Sequence, residues 1–162
     1  MKKEIYFDNA ATTRIRPEVA KVMIEHLEEA YGNPSSIYKI ARENKSIIED
    51  NREKVAKAIN AEKSEIYFTG GGSEANNWAL KGIAESYKSK GKHIITTNVE
   101  HHAILHVCNY LETIGYEVTY LPVDEEGNIN LEDLKSAIRP DTILISIMFA
   151  NNEIGTIQPV KE

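Results

Sequence analysis

From residue 65 onwards the sequence alternates short apolar segments with longer amphipathic ones. Apolar segments of strand length recur at 65–69, 93–98, 117–123 and 142–150. Apolar residues at helical spacing follow the first three, at 73–89, 101–114 and 131–138. Asn130 is the expected N-cap of the last helix, and the near-continuous apolar strand before Asn151 is of the buried type. Strands that alternate with helices predict an α/β fold with a mostly parallel, doubly wound sheet.

The first part of the chain is predicted to be helical. Apolar residues at helical spacing indicate one helix that Pro17 opens and Gly32 closes, and a second from about Ile37 to Ile59. No repeat or linker divides the chain. We therefore expect a single segment, with an N-terminal helical arm over about 1–62 and the first part of a ligand-binding sheet domain over about 63–162.

Composition and charge exclude several classes of function. The 162 residues are 41% hydrophobic and 27% charged, which suits one soluble globular domain. A formal net charge of -6 without a basic stripe argues against a nucleic-acid partner. No apolar run is long enough for a signal peptide or a membrane span. Cys108 is the only cysteine, so an internal disulfide is excluded and a reducing compartment, the cytoplasm, is expected.

Three polar or glycine-rich loops follow strands of the predicted sheet. They read GGGSEANN after the first strand, VEHHA after the second and NNEIGT after the last. In doubly wound sheets, ligands bind beyond the carboxyl ends of the strands. The loops at the opposite edge, SKGK, ETIGYE and RPDT, have the composition of ordinary connectors. We therefore expect the functional site at the edge that the first three loops share.

The glycine loop has two interpretations. Gly70, Gly71 and Gly72 can expose backbone N–H groups which, with the hydroxyl of Ser73 at a helix start, suit a phosphate. The segment matches neither a Walker loop nor the GxGxxG fingerprint, so a single phosphate fits better than a dinucleotide. Alternatively, the glycines form a sharp turn with a serine cap and no ligand. These residues by themselves favour neither interpretation.

The other two loops offer an imidazole and an amide. His101 and His102 point in different directions, so at most one faces a ligand. An imidazole there can stack on an aromatic ligand or move a proton, although a lone histidine is more often a cap or a surface residue. Asn151 and Asn152 either mark a turn or place an amide on a ligand oxygen. No zinc ligand set is completed, and Cys108 is interpreted as a core residue.

Five segments occur in an order and spacing that are specific to one family. They are YFDNAATT, GNPSS, FTGGGSEANN, EHHAILHVC and ANNEIGTIQPV. In these segments the chain resembles the N-terminal part of the NifS/IscS-type cysteine desulfurases, class V aminotransferases that use pyridoxal 5'-phosphate (PLP). The resemblance covers essentially the whole chain. It implies that residues 63–162 form the first part of the PLP-binding large domain of the fold type I enzymes.

The resemblance also implies an activity and partners. Members of this family remove sulfur from L-cysteine and leave L-alanine. The sulfur passes to a cysteine of the enzyme and then to an Fe–S scaffold or another sulfur acceptor, including the route to tRNA thiolation. The family normally forms homodimers. From the charge and the lack of a long apolar run, we expect neither a nucleic-acid partner nor a membrane partner for this chain.

The resemblance implies roles for particular residues. Gly72 and Ser73 match the pair that binds the cofactor phosphate. His101 matches the histidine that stacks on the pyridine ring and assists proton transfer. Asn152 matches the asparagine near the ring hydroxyl of the cofactor and the substrate carboxylate. A further segment matches the residues that line the substrate pocket, namely Asn9, Ala10, Ala11 and Thr12.

Several groups that the family's chemistry needs have no match in this sequence. They are the lysine that tethers the cofactor, the aspartate at its pyridine nitrogen, the active cysteine and the arginine for the substrate carboxylate. The resemblance therefore implies a fragment with little or no desulfurase activity by itself. Two alternatives stay open: a segment of another class V enzyme such as selenocysteine lyase, or a non-catalytic fragment that associates with a full-length or complementary subunit.

Overall fold

The computed structural model describes residues 5–162. It divides into two compact units, one that ends at Phe68 and one from Thr69 to Glu162. Within the described range, no helix combines the length and the apolar character that crossing a membrane requires.

The first unit contains the two predicted helices. Helix α1 spans Pro17–Glu29 and helix α2 spans Lys39–Ala58. Pro17 is the first helical residue, where its missing N–H costs no hydrogen bond. A side chain of α2 stabilises the turn between the two helices: the buried Asn44 donates from Nδ2 to the Gly32 carbonyl at 2.7 Å. Both N-terminal helices are thus confirmed to within a few residues of their predicted ends.

The second unit is built from alternating helices and parallel strands. Their order is α3 (Gly72–Tyr87), β1 (His93–Thr97), α4 (His102–Thr113), β2 (Glu117–Leu121), α5 (Leu131–Ala137) and β3 (Thr142–Ile145). The strand order in the sheet is β2-β1-β3, and β1 pairs in parallel with both neighbours. Asn130 caps α5 by accepting the Glu132 N–H at 2.8 Å. The predicted α/β fold with a parallel sheet is confirmed.

The core of this unit lies between one face of the sheet and helices α3 and α4. Ile94 of β1 is fully buried at its centre. The remaining buried members of the cluster are Leu80, Ala84, Ile104, Val107, Cys108, Leu111 and Tyr116. The Tyr116 hydroxyl meets its hydrogen-bonding need by donating to the Ala84 carbonyl at 2.7 Å. This cluster fixes both helices on the sheet and thereby positions their first turns.

The strand predicted at 65–69 is wrong. Residues Lys63–Glu65 form a 3-10 turn instead, and residues 66–69 belong to none of the three strands of the sheet. The Glu65 carboxylate accepts the Glu62 N–H at 2.7 Å, which closes a capping box at the turn. Ile66 is extended, but its carbonyl accepts from the Arg52 guanidinium rather than from a neighbouring strand. Hydrogen bonds between side chains and the backbone therefore replace the β-ladder that the apolar pattern predicted.

The strand predicted at 142–150 is too long, and its expected burial is wrong as well. Strand β3 ends at Ile145, and its residues are half-buried or exposed because it lies at the edge of the sheet. The ladder continues for one bond, from Ser146 N–H to the Ile95 carbonyl at 2.8 Å. Beyond that bond, the backbone of this segment forms hydrogen bonds with side chains. Thr96 donates to the Ser146 carbonyl at 2.9 Å, and Glu100 accepts the Met148 N–H at 2.5 Å.

Candidate functional site

The glycine segment begins α3 and leaves open space around it. Gly71 is the N-cap, with φ 165° and ψ 174°, and Gly72 is the first helical residue. Such a φ is extended backbone that any residue adopts, and neither Gly70 nor Gly72 lies in the left-handed region that favours glycine. A Cβ added at Gly71 or Gly72 would meet no heavy atom within 4 Å. The backbone does not require glycine at these two positions, so what glycine provides there is unobstructed access to the helix start.

Three backbone amides at this helix start have no acceptor within the helix. The first intrahelical donor of α3 is Ala75, so the N–H groups of Gly72, Ser73 and Glu74 precede it. Glu74 turns back, and its Oε2 accepts the Gly70 N–H at 2.6 Å. The free amides and the positive end of the helix dipole together form an arrangement that suits an anion.

Ser73 lies in the first turn of α3 with an exposed side chain. Ser73 itself carries one of the three free amides, and its hydroxyl is a further donor that can rotate to suit a ligand. Its carbonyl accepts from Asn77 Nδ2 at 2.9 Å, which ties the first turn to the next. The position therefore combines a hydroxyl and backbone N–H groups on one open surface.

The first turns of α3 and α4 lie at the same edge of the sheet. Helix α3 reaches β1 through residues 88–92 and packs against Ile94 with Leu80 and Ala84. A helix that packs on a strand and connects directly into it runs antiparallel to that strand, so α3 begins on the carboxyl side of β1. Helix α4 follows β1 and begins on that side too. The glycine segment, His101 and the loop after β3 thus share the carboxyl edge.

His101 is the N-cap of α4. Its Nδ1 accepts the Ala103 N–H at 3.0 Å, so the neutral ring carries its proton on Nε2. His101 is exposed, and the hydrogen bond from Ala103 to Nδ1 holds the orientation of the ring. His102 is different, because its ring stacks on the His106 ring with centroids 5.5 Å apart. Among residues 5–162 the structure contains no group of three or more His, Cys, Asp or Glu side chains that could hold a metal ion.

The two asparagines after β3 have separate roles. Asn151 is 8% exposed and forms a turn, since its Oδ1 accepts the N–H groups of Glu153 at 2.8 Å and Ile154 at 3.1 Å. Asn152 is exposed at the tip of this turn. The turn interpretation therefore describes Asn151, and Asn152 is the member of the pair whose amide is open to a ligand.

The sequence analysis missed the burial of two polar side chains at this edge, Glu100 and Asn151, and their contacts between loops. Glu100 is 8% exposed, and its Oε1 accepts the Met148 N–H. Burial raises the pKa of Glu100, while the hydrogen bond from Met148 acts in the opposite direction. Asn151 donates from Nδ2 to the Val99 carbonyl at 3.1 Å. Nothing in the sequence distinguishes these residues from their exposed neighbours, because their partners are about fifty positions away.

The segment predicted to line a substrate pocket lies in the first unit. Residues 8–12 form a turn, in which the Ala11 and Thr12 N–H groups approach the Asp8 carbonyl at 3.2 and 3.4 Å. The Tyr6 hydroxyl donates to the same carbonyl at 2.6 Å. Asn9, with Ala10, Ala11 and Thr12, is exposed. Their assignment to a substrate pocket stays a prediction.

Cys108 is fully buried in α4 against the core. Burial raises the pKa of its thiol to about 11, with smaller contributions from the Glu112 and Glu100 carboxylates. A thiol in this environment is not a nucleophile at neutral pH, and the interpretation of Cys108 as a core residue agrees with its place in the structure.

Comparison with known proteins places the chain in a family. The family profile described as aminotransferase class-V matches residues 5–162. The chain belongs to the aminotransferase class-V family. Among curated relatives, a protein of Clostridium botulinum (strain Kyoto / Type A2) named "Cysteine desulfurase IscS" is 59% identical over 162 residues. One of the same name from Methanosarcina thermophila is 59% identical over 160 residues.

These relatives are longer than this chain. The Clostridium protein matches 100% of the chain, which corresponds to 41% of the relative, and the Methanosarcina protein matches 99%, or 40% of its own length. The chain thus spans about two fifths of the curated relatives, at their N-terminal side. The resemblance to cysteine desulfurases of the NifS/IscS type is confirmed.

Solved structures share this fold. A structure named "NIFS-LIKE PROTEIN" matches 98% of the chain and 44% of its own chain, with a TM-score of 0.95 and 46% identity. Another, named "SspA in complex with cysteine", matches 96% of the chain and 45% of its own, with a TM-score of 0.90 and 41% identity.

Proposed function

We propose that this chain provides the phosphate-binding and ring-contacting residues of a PLP-dependent cysteine desulfurase, with L-cysteine as the substrate of the whole protein. The observation that carries the proposal is the open start of α3, where Gly71 and Gly72 leave space that no backbone turn demands. Family membership and the names of the relatives support the reaction class. The SspA structure, which is named as a complex with cysteine, supports the substrate.

The phosphate would bind at the first turn of α3. It would accept hydrogen bonds from the N–H groups of Gly72, Ser73 and Glu74 and from the Ser73 hydroxyl. The Glu74 carboxylate already occupies the Gly70 N–H, so that amide is not part of the proposed phosphate site. The residues present fit a single phosphate, because open space, free donors and the positive helix end coincide.

His101 and Asn152 would contact the remainder of the cofactor. With Nδ1 engaged by the Ala103 N–H, His101 can offer one face of its ring for stacking and Nε2 for holding or moving a proton. The exposed amide of Asn152 can donate to an oxygen of the ring or of the substrate. PLP, when bound, supplies an electron sink for charge that develops on the substrate carbon.

Further parts of the proposal concern location and partners. A sulfur acceptor and a second subunit are expected from the reaction class and the family. The exposed apolar side chains of α1 support an association with further polypeptide, since Val19, Val22, Met23 and Leu27 are 42% to 79% exposed. A reducing compartment such as the cytoplasm is supported by the single, free Cys108.

Ser73→Ala is expected to weaken binding of pyridoxine 5'-phosphate about tenfold, equivalent to about 1.4 kcal/mol, because one donor to a charged phosphate is lost. Pyridoxine 5'-phosphate has an alcohol in place of the aldehyde and cannot react with lysines. Titration calorimetry measures the affinity. The affinity for inorganic phosphate should fall by a similar factor, whereas the affinity for unphosphorylated pyridoxine should not change.

Ser86→Ala is the matched control, because Ser86 is exposed near the other end of α3. It should leave all three affinities unchanged. Unchanged affinity for pyridoxine 5'-phosphate in a folded Ser73→Ala variant contradicts the proposed phosphate site. Absence of measurable binding to the unsubstituted chain contradicts it as well.

A further inference from the structure

Two dipeptides at the carboxyl edge share one pattern of burial. In Glu100-His101 and in Asn151-Asn152, the first residue is 8% exposed and the second is exposed. The second residues are those to which the proposed function assigns cofactor contacts. The first residues have no role in that proposal, although a buried carboxylate and a buried amide are costly unless they are well bonded.

The two buried side chains bond reciprocally between the same two loops. Glu100, in the loop after β1, accepts the Met148 N–H of the loop after β3 with Oε1 at 2.5 Å. Asn151, in the loop after β3, donates to the Val99 carbonyl of the loop after β1 at 3.1 Å. Asn151 Nδ2 also lies 3.4 Å from Met148 Sδ, so both side chains meet at the same residue.

The bonds extend to the neighbouring exposed residues. Asn151 Oδ1 accepts two N–H groups of the turn that carries Asn152, at 2.8 and 3.1 Å. His101, which follows Glu100 directly, is fixed by its own cap to Ala103. Each buried side chain thus bonds its own loop to the backbone near the exposed residue of the other loop, at Met148 and at Val99.

We propose that Glu100 and Asn151 are positioning residues that fix the distance between His101 and Asn152. We call this pair of bonds the loop clasp. The inference rests on the proposed function, because it assigns a purpose to the spacing of two proposed cofactor contacts. It adds residues that touch neither cofactor nor substrate and that act through their neighbours.

Two conservative variants test the loop clasp. Glu100→Gln keeps an acceptor oxygen of the same reach and removes the charge. Asn151→Asp keeps the oxygen that holds the turn and places an acceptor opposite the Val99 carbonyl, which breaks the bond between the loops together with the contact to Met148 Sδ. Each is expected to weaken pyridoxine 5'-phosphate binding about fivefold while leaving the affinity for inorganic phosphate unchanged. The loss of affinity in the double variant should be smaller than the product of the two single losses, because both changes weaken the same clasp.

Gln158→Glu is the matched control. Gln158 is a buried amide at 2% exposure in the same unit, and it bonds Gly127 and Ile129 rather than the loop after β1. It is expected to lower stability without changing the ratio of the two affinities. A purely structural role for the clasp predicts the same behaviour for all three variants, which would overturn the inference.

A second readout separates failure of the clasp from failure of the proposed function. In the ligand-free chain, Glu100→Gln should shift the side-chain amide resonance of Asn152, and Asn151→Asp should shift the ring resonances of His101. If these cross-loop shifts occur and no phosphate ligand binds, the clasp stands and the proposed function fails. If phosphate ligands bind and each variant perturbs only its own loop, the clasp is wrong and the proposed function stands.

Discussion

Gly91→Ala is expected to lower the free energy of unfolding of the second unit by about 3 kcal/mol. A Cβ at position 91 would lie 2.1 Å from the Asp141 carbonyl oxygen and 2.6 Å from the carbonyl carbon. These are backbone atoms and cannot swing aside as the end of a flexible side chain can. The same carbonyl accepts the His93 N–H at 3.1 Å. The added methyl group therefore forces β3 away from β1 where their pairing begins.

Urea denaturation measures this effect, and Gly82→Ala is the matched control. Gly82 lies inside α3, where an added Cβ comes no closer than 3.9 Å to the nearest side-chain atom. Alanine there is expected to raise the free energy of unfolding by about 0.5–1 kcal/mol, because glycine is a poor helix former. Equal stability of Gly91→Ala and the unsubstituted chain would show that residues 91 and 141 are not packed as described.

The stability of the second unit is expected to fall as the pH is lowered below about 6.5, the ordinary pKa of histidine. The cause is His93, which is 1% exposed at the start of β1. Its Nδ1 lies 2.7 Å from Thr142 Oγ1 on β3, and its Nε2 lies 2.8 Å from Thr119 Oγ1 on β2. The Arg139 N–H donates to Thr142 Oγ1 at 2.8 Å, which leaves the Thr142 hydroxyl free to donate to Nδ1. This arrangement suits the neutral ring with its proton on Nε2.

The charges around His93 act in both directions. Burial contributes most to the lowered pKa of His93, and the positive charge of Arg139 lowers the pKa further. The carboxylates of Asp141 and Glu117 raise it, but each is paired with the Arg139 guanidinium, at 2.9 and 2.6 Å. The folded chain thus binds a proton at His93 less readily than the unfolded chain does.

The direction of the pH effect follows from this difference. Between about 6.5 and the lowered pKa of folded His93, the unfolded state binds a proton that the folded state does not. The free energy of unfolding should therefore fall by up to about 1.4 kcal/mol for each pH unit in that window. Urea midpoints at a series of pH values measure the slope. His93→Gln should remove most of it, whereas His106→Gln, an exposed position, should not. A slope that survives His93→Gln contradicts this account.

Elements fixed by local sequence were predicted well. The start of α1 at Pro17, the cap of α5 at Asn130 and the bounds of α3 and α4 all depend on residues within a few positions of each other. Strands depend on distant neighbours, and here the prediction failed. The segment 65–69 has the composition of a strand, yet Arg52 and a capping box take its hydrogen bonds. The ladder of β3 ends where Thr96 and Glu100 compete for its backbone.

In the candidate site, too, residues in contiguous motifs were predicted and contacts between distant segments were not. The exposed candidates, Ser73, His101 and Asn152, come from motifs that are contiguous in sequence. The contacts of Glu100 and Asn151 between the two loops could not be predicted, because the partner of each side chain lies about fifty residues away in the sequence. The connector SKGK was interpreted as ordinary for the same reason. The need for glycine at position 91 arises only once β3 lies beside β1.

The central claim is that one edge of the sheet binds the phosphate and the ring of a PLP-like ligand. Its most direct test is the titration of isotope-labelled chain with pyridoxine 5'-phosphate, followed residue by residue by nuclear magnetic resonance. The account predicts saturable shifts at the Gly72, Ser73 and Glu74 amides, and with the same affinity at His101 and Asn152. Inorganic phosphate should shift the α3 amides alone. Shifts that are absent, or that saturate at residues away from this edge, contradict the account.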